Sequence, residues 1–125
     1  MGEIKTYFFD TYSFFEIIEG RKEYEEFIKE VGIVTTKMNL MELHYGLLIK
    51  KGKETADKYY DELSKFTVEI EDETIKLANV FKSINKKMKL SYIDCIGYIL
   101  AKKLNIPFLT GDKEFKYLDN VEFVK

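Results

Sequence analysis

The sequence predicts an α/β fold, specifically a three-layer α/β/α sandwich around a central, mostly parallel five-stranded sheet. Short apolar or β-branched runs typical of buried strands recur along the chain, and amphipathic segments with helical spacing separate them. This alternation favours parallel strands with helices on both faces. The 125 residues include a single proline and no linker-like stretch rich in serine or glycine. We therefore expect a single domain over residues 1–125.

The predicted strands are short and mostly hydrophobic. IKTYFF is a nearly continuous apolar run, GIVTT is β-branched after a glycine, and FTVEI alternates in the manner of a half-buried strand. IPFLT and VEFV complete the set. In chain order the predicted strands are residues 4–9, 32–36, 66–70, 106–110 and 121–124.

Helices are predicted where apolar residues recur every three or four positions. In the first such segment these positions are Tyr24, Phe27, Ile28 and Val31. The predicted helices are residues 22–31, 38–50, 56–63, 73–89 and 92–104. Two pairs of helices follow one another near the middle of the chain, so the order is not a strict alternation of strand and helix.

Composition excludes several classes of protein. The net charge of −2 gives no general attraction to nucleic acid, so a polyanionic substrate would need local lysines or bound cations. The single Cys95 excludes an internal disulfide and a cysteine-type zinc site, and it fits a reducing compartment. No stretch resembles a signal peptide or a membrane span. We therefore expect a cytoplasmic protein with no membrane association.

Four acidic residues follow strands or occupy early turns of the helices after them. They are Asp10, Glu42, Asp94 and Asp112. Function in parallel α/β sheets gathers at the carboxyl ends of the strands, so we expect these side chains to converge on one edge.

Each acid taken alone also has a structural explanation. Asp10 is a suitable helix N-cap, Asp94 completes a capping-box pattern that begins three residues earlier, and Asp112 suits a turn after a glycine. Glu42 is harder to explain in this way. It lies in a mostly apolar stripe, with no lysine or arginine three or four residues away to pair with it.

Convergence of the four acids points to a divalent cation. Two carboxylates about 5 Å apart repel by roughly 3 kcal/mol at an effective dielectric near 20. Ligands that are all oxygen suit Mg²⁺ or Mn²⁺ rather than zinc. Such an ion would lower the pKa of a bound water and would screen a phosphodiester that the acids otherwise repel.

Three stretches, FFDTYSFFEII, NLMELHYGLL and SYIDCIGYILAKKLNIPFLTGDKEF, resemble the PIN domain family over essentially the whole chain. The resemblance implies a metal-dependent ribonuclease whose metal site maps onto Asp10, Glu42, Asp94 and Asp112. It also implies a supporting role for the Thr110 hydroxyl. The length is similar to that of VapC-type toxins, which implies an RNA substrate, a homodimer and a small antitoxin protein as partner.

The first motif departs from the family pattern. Many members have a small polar residue two positions after the first acid, whereas this chain has Tyr12 there and Ser13 one position later. The departure concerns a supporting hydrogen bond and leaves the four acids in place.

Other interpretations compete with the nuclease. One is a non-catalytic PIN-like domain that binds RNA or protein. Another is a receiver-like phosphoacceptor domain, although the chain lacks the paired acids that such a domain needs after its first strand. We interpret His44 as a packed residue and Cys95 as a core residue. The lysine pairs at 50–51, 86–87 and 102–103 have two explanations: they steer RNA, or they are solvated charges near helix ends.

Overall fold

A computed structural model describes residues 4–125 of the chain. In chain order the elements are β1 (Lys5–Phe9), α1 (Thr11–Ile18), β2 (Val31–Val34), α2 (Lys37–Lys51), α3 (Lys53–Leu63), α4 (Asp72–Ile84), α5 (Tyr92–Lys103), β3 (Phe108–Thr110) and β4 (Val121–Phe123). Short 3₁₀ segments cover Lys22–Phe27, Ser64–Phe66 and Lys113–Phe115.

The described residues form a four-stranded sheet in the order β2-β1-β3-β4, and every neighbouring pair of strands is parallel. Because β1 and β3 are central and adjacent, the residues that follow them leave the sheet side by side at the same edge. The predicted α/β class with a parallel sheet is confirmed. The predicted number of strands is wrong, since four form rather than five.

Hydrophobic residues pack on both faces of the sheet. Because successive side chains of β1 point to opposite faces, Tyr7 and Phe9 pack in a core shared with α1, α2 and α3. Phe8, between them, packs on the opposite face with residues of α4 and α5. Burial on both faces explains why the central strands, β1 and β3, lie in nearly continuous apolar runs of the sequence.

The segment predicted as a third strand, residues 66–70, makes only one isolated bridge. Thr35 donates its backbone N–H to the Phe66 carbonyl at 3.0 Å, and Val68 donates to the Thr35 carbonyl at 2.9 Å. The 3₁₀ turn that ends at Phe66, the first residue of the segment, and helix α4 just after it leave too few residues for a ladder. The alternating pattern of the segment therefore reflects a brief contact with the sheet edge.

The predicted helix over residues 22–31 is also wrong in its type and extent. A 3₁₀ helix covers Lys22–Phe27, and the chain enters β2 at Val31. Its two buried residues, Tyr24 and Phe27, are three positions apart. A 3₁₀ helix has three residues per turn, so this spacing places both residues on one face, as it also would in an α-helix. Ile28, which would have extended the apolar face, is 52% exposed.

Helix α1 was not predicted, and α4 is shorter than predicted. The prediction extended α4 to residue 89, but the helix ends at Ile84. There the Asn85 side chain donates to the Phe81 carbonyl at 2.9 Å and closes the last turn. In residues 4–125 no helix combines the length and apolar character needed to cross a membrane.

Candidate functional site

The structure brings the four predicted acids into one cleft of about 410 Å³. They arrive from the end of β1, the second turn of α2, the first turn of α5 and the loop after β3. The cleft is lined by Asp10, Thr11, Tyr12, Phe15, Glu42, Tyr45, Gly46, Asp94 and Asp112. The predicted convergence therefore holds in the geometry, while the catalytic and metal-binding roles of these residues stay predictions.

Asp10 is the most deeply placed acid of the cleft, with 2% of its surface exposed. It directly follows β1 in an extended conformation and is the N-cap of α1. One carboxylate oxygen accepts the Thr11 backbone N–H at 2.9 Å, and the other accepts the Thr110 hydroxyl at 2.8 Å. Both oxygens are therefore fixed in orientation.

Burial raises the pKa of Asp10 to about 8, and the negative charges of Asp94 and Glu42 act in the same direction. The hydrogen bonds from Thr110 and Thr11 oppose this rise. Near neutral pH this carboxyl therefore favours its protonated form in the metal-free protein. A bound cation would reverse that preference, because a nearby positive charge stabilises the ionised form.

A chain of buried polar side chains holds Glu42. The Thr11 hydroxyl donates to Glu42 Oε1 at 2.8 Å, and the Asn39 amide donates to the Thr11 oxygen at 3.1 Å. Thr36, the N-cap of α2, donates its hydroxyl to Asn39 Oδ1 at 2.6 Å. Burial raises the pKa of Glu42, the Thr11 hydrogen bond lowers it, and the charge of Asp94 raises it further. The network ties the second turn of α2 to the start of α1.

Asp94 completes the capping box predicted for α5. Its Oδ2 accepts the Ser91 backbone N–H at 2.9 Å, while the Ser91 hydroxyl accepts the Asp94 N–H at 3.0 Å. Burial raises the pKa of Asp94 and so does the charge of Asp112, whereas the Ser91 hydrogen bonds and the Lys82 charge lower it. Asp94 therefore both caps α5 and lines the cleft.

Asp112 likewise caps a short 3₁₀ turn, since its Oδ1 accepts the Glu114 backbone N–H at 3.0 Å. Its own N–H donates to the Thr110 hydroxyl oxygen at 3.0 Å. That hydroxyl in turn donates to Asp10, so one threonine links two of the acids. The predicted supporting role of Thr110 has this geometric basis.

Sequence reasoning missed Thr11, Asn39 and Thr36 as supports of the site. The available signal was local: Thr36 and Asn39 are polar residues beside a predicted helix start, and Thr11 follows Asp10, which suits a helix N-cap. Ser13 is also informative, because its hydroxyl donates to the Leu109 carbonyl at 2.7 Å rather than to an acid. The displaced serine of the first motif therefore joins α1 to β3.

The donor set fits a hard divalent ion held partly through water. In residues 4–125 no three Asp, Glu, His or Cys side chains are grouped closely enough to hold an ion directly. Mg²⁺ commonly keeps several waters and uses one or two carboxylates, so a hydrated ion suits this more open arrangement. Softer ligands are elsewhere: Cys95 is in the core, and His44 contacts Asp57 at 2.7 Å in a separate cavity.

The family model described as PIN domain matches residues 7–121. Among solved structures, VapC20 of Mycobacterium tuberculosis, described as a sarcin-ricin loop cleaving toxin, superposes with a TM-score of 0.80 at 16% identity, covering 95% of this chain and 99% of that one. VapBC2 from Rickettsia felis, bound to a promoter DNA fragment, superposes with a TM-score of 0.72 at 18% identity, covering 96% of this chain and 99% of that one.

A toxin–antitoxin complex from Klebsiella pneumoniae gives a TM-score of 0.73 at 18% identity, with 92% of this chain and 94% of that chain covered. At such identities the likeness establishes the fold. No curated protein sequence matches the chain.

Proposed function

The chain belongs to the PIN domain family, whose model matches residues 7–121, and on that premise we propose that it is a metal-dependent endoribonuclease cleaving RNA phosphodiesters. We take residues 1–125 to act as one domain. The observation that carries the proposal is the meeting of four acids, from distant parts of the sequence, in one cleft. A domain that only bound a partner would gain nothing from their mutual repulsion.

Asp10, Glu42, Asp94 and Asp112 are the residues that would hold Mg²⁺ or Mn²⁺. Bound there, the ion would supply an activated water and would stabilise negative charge on the phosphate. The protein contributes orientation. Thr110 fixes Asp10, and Thr11 fixes Glu42, so that neither carboxylate must reorganise when substrate arrives.

We further propose that the protein is the toxin of a toxin–antitoxin pair and acts in the cytoplasm. Its length and its fold support this, because both match those of VapC20, described as a toxin, and those of chains in a toxin–antitoxin complex and in the VapBC2 structure. A small antitoxin protein is then the expected partner. Homodimer formation is part of the same proposal, and the exposed apolar residues of α4, Leu77, Val80 and Ile84, are suitable for it.

One observation favours a second candidate, a PIN-like domain that binds RNA or protein without cleaving it. No three candidate ligands in the described residues are already grouped around an ion-sized space. A receiver-like phosphoacceptor has no such support, since the chain belongs to another family and the described residues form four strands.

Cleavage of RNA by the purified protein tests the proposal. We expect cleavage that requires Mg²⁺ or Mn²⁺ and stops in excess EDTA. Asp10→Asn and Asp94→Asn should each lower the rate by more than the roughly 10–100-fold that supporting residues typically cost. Glu69→Gln, a change at an exposed acid outside the cleft, should retain full activity. Circular dichroism of each variant checks the fold. Full activity in either aspartate variant, or in EDTA, would contradict the proposal.

A further inference from the structure

A second polar cavity of about 420 Å³ lies next to the start of α5, the helix that carries Asp94. Its walls come from the C-terminal half of α4, the turn that follows, and the exposed aromatic ring at the first position of α5. The cavity is lined by Asn79, Lys82, Ser83, Lys86, Met88 and Tyr92. It thus combines two cations, two neutral hydrogen-bonding side chains and a tyrosine, and it has no acidic lining residue.

One peptide group connects this cavity to the acidic cleft. Lys82 donates through Nζ to the Leu90 carbonyl at 2.6 Å, and the Ser91 N–H of the same peptide group donates to Asp94 at 2.9 Å. The Lys82 nitrogen and the Asp94 oxygen are therefore no more than about 8 Å apart, from these two hydrogen bonds and the C=O and C–N bonds between them. The Lys82 charge also lowers the pKa of Asp94, as expected from this proximity.

Ordinary structural roles explain part of this cavity. Lysines near the end of α4 are favourable with the helix dipole, and Lys82 also closes the turn before α5 through its bond to Leu90. These roles do not explain Tyr92, which is 67% exposed and lies with its ring centroid 5.0 Å from the Lys82 nitrogen. An ammonium also has three donors, of which the bond to Leu90 uses one.

We propose that this cavity is the subsite for the nucleotide adjacent to the scissile phosphate of a single-stranded RNA. Lys82 and Lys86 contact the neighbouring phosphate, and the base stacks on the ring of Tyr92. This inference rests on the proposed ribonuclease function and specifies how its substrate is held. A chain with a net charge of −2 and an acidic cleft needs local cations to retain a polyanion, and these two lysines are beside that cleft.

Fluorescence anisotropy with a fluorescein-labelled single-stranded RNA tests the subsite directly. Measurements in EDTA prevent cleavage and remove any contribution from metal. We expect the double variant Lys82→Gln/Lys86→Gln to bind at least tenfold more weakly. Its plot of log affinity against log salt should be shallower by about 0.7, since the two lysines neutralise one phosphate and each phosphate contact to a single strand contributes about 0.7.

Single changes separate charge from stacking. Lys86→Gln alone should weaken binding and reduce the salt slope by up to about 0.7, and because Lys86 is exposed it tests the charge even if Lys82→Gln perturbs the fold. Tyr92→Ala should weaken binding about fivefold or more, while Tyr92→Phe should bind like the wild type. The matched control is Lys29→Gln/Lys76→Gln, which removes two exposed lysines outside the cavity.

The possible results distinguish the two proposals. If the wild type cleaves RNA but the cavity variants bind it with unchanged affinity and salt slope, the subsite is wrong and the ribonuclease function stands. If the wild type neither binds nor cleaves RNA, the function fails and the subsite with it. If the cavity variants change self-association in sedimentation velocity and leave RNA affinity unaltered, the cavity is a protein interface and the subsite is overturned.

Discussion

Asp10 shows how the demands of folding and of the proposed chemistry meet in one side chain. Its carboxylate caps α1 and accepts a hydroxyl from the end of β3, so the fold uses both oxygens. Its burial beside two other acids nevertheless raises the pKa to about 8, which makes the ionised form costly without a cation. The fold therefore fixes the position of this carboxylate while leaving its negative charge poorly compensated, which agrees with its proposed role as a metal ligand.

The raised pKa of Asp10 predicts that the metal-free protein loses stability as the pH rises. Between about pH 4 and pH 8 the unfolded chain has released this proton and the folded chain retains it, so the free energy of unfolding should fall across that range. Asp10 alone contributes at most about 1.4 kcal/mol per pH unit. Glu42 and Asp94, whose pKa values are also raised, act in the same direction.

Urea unfolding in EDTA at pH 5, 6, 7 and 8 measures this effect. Asp10→Asn removes the ionisation and should give a shallower decline, whereas Glu69→Gln outside the cleft should follow the wild type. A wild-type protein that is more stable at pH 8 than at pH 5 would show that Asp10 is ionised in the metal-free fold.

Thr11 links stability to the site through its hydroxyl. Thr11→Val would leave the buried Asn39 amide without its acceptor and Glu42 without its donor. We expect a loss of about 1–3 kcal/mol in the free energy of unfolding and a 10–100-fold loss in Mn²⁺ affinity. Urea unfolding and isothermal titration calorimetry measure the two effects. Thr11→Ser keeps the hydroxyl and should retain metal affinity; equal losses in both variants would argue against the hydrogen bond.

At the scale of elements, periodicity predicted the long helices well because their packing follows one face. Helices α2, α3 and α5 lie close to the predicted bounds. Helix α1 was not predicted because its eight residues, TYSFFEII, are too few for a helical period to stand out directly after an apolar strand. The signal that marked its start was the cap Asp10, which the sequence also identified as a candidate site residue.

The site was more predictable than the edges of the sheet. Four acids at strand ends need only the correct topology to converge, and topology follows from the order of the elements. Strand pairing at residues 66–70 depends on how many residues the flanking turns leave free, and alternation in sequence does not report that. The Thr11–Asn39 contact joins residues 28 positions apart and has no periodic signature at all.

Helix α5 is held against the sheet at Gly97, and this close approach places Asp94. A Cβ atom at Gly97 would come within 2.8 Å of the Phe8 ring and 3.2 Å of the Phe108 ring. Both rings are fully buried, so neither has space to move away. Gly97→Ala should therefore lower the free energy of unfolding by about 1–2 kcal/mol, because overpacking outweighs the helix propensity that alanine gains.

A double-mutant cycle tests the cause of that loss. Phe8→Leu removes the nearer ring, so Gly97→Ala should cost less in the Phe8→Leu background than in the wild type, as measured by urea unfolding. Additive losses would mean that the ring of Phe8 does not limit the approach of α5.

At the scale of the whole molecule, a chain with almost no net charge places acids and lysines in separate but adjacent regions of its surface. The parallel sheet brings acids from four elements to one end, and the end of α4 with the turn after it places lysines next to them. The global charge of −2 neither attracts nor strongly repels RNA, so binding depends on this local arrangement. We therefore expect RNA affinity to depend on salt through a few contacts rather than through the whole surface.

A divalent ion should stabilise the entire fold, because it binds a cleft that exists only when β1, α2, α5 and the loop after β3 are assembled. At an ion concentration 100 times the Kd the gain is about 2.7 kcal/mol, which corresponds to a rise in Tm of about 10 °C for a domain of this size. Differential scanning fluorimetry with Mn²⁺ and with Mg²⁺ measures it. Asp94→Asn should lose most of the rise, and Glu69→Gln should keep it. If neither ion raises the Tm of the wild type at millimolar concentration, the acids meet without binding metal, and the non-catalytic candidate becomes the better account of the cleft.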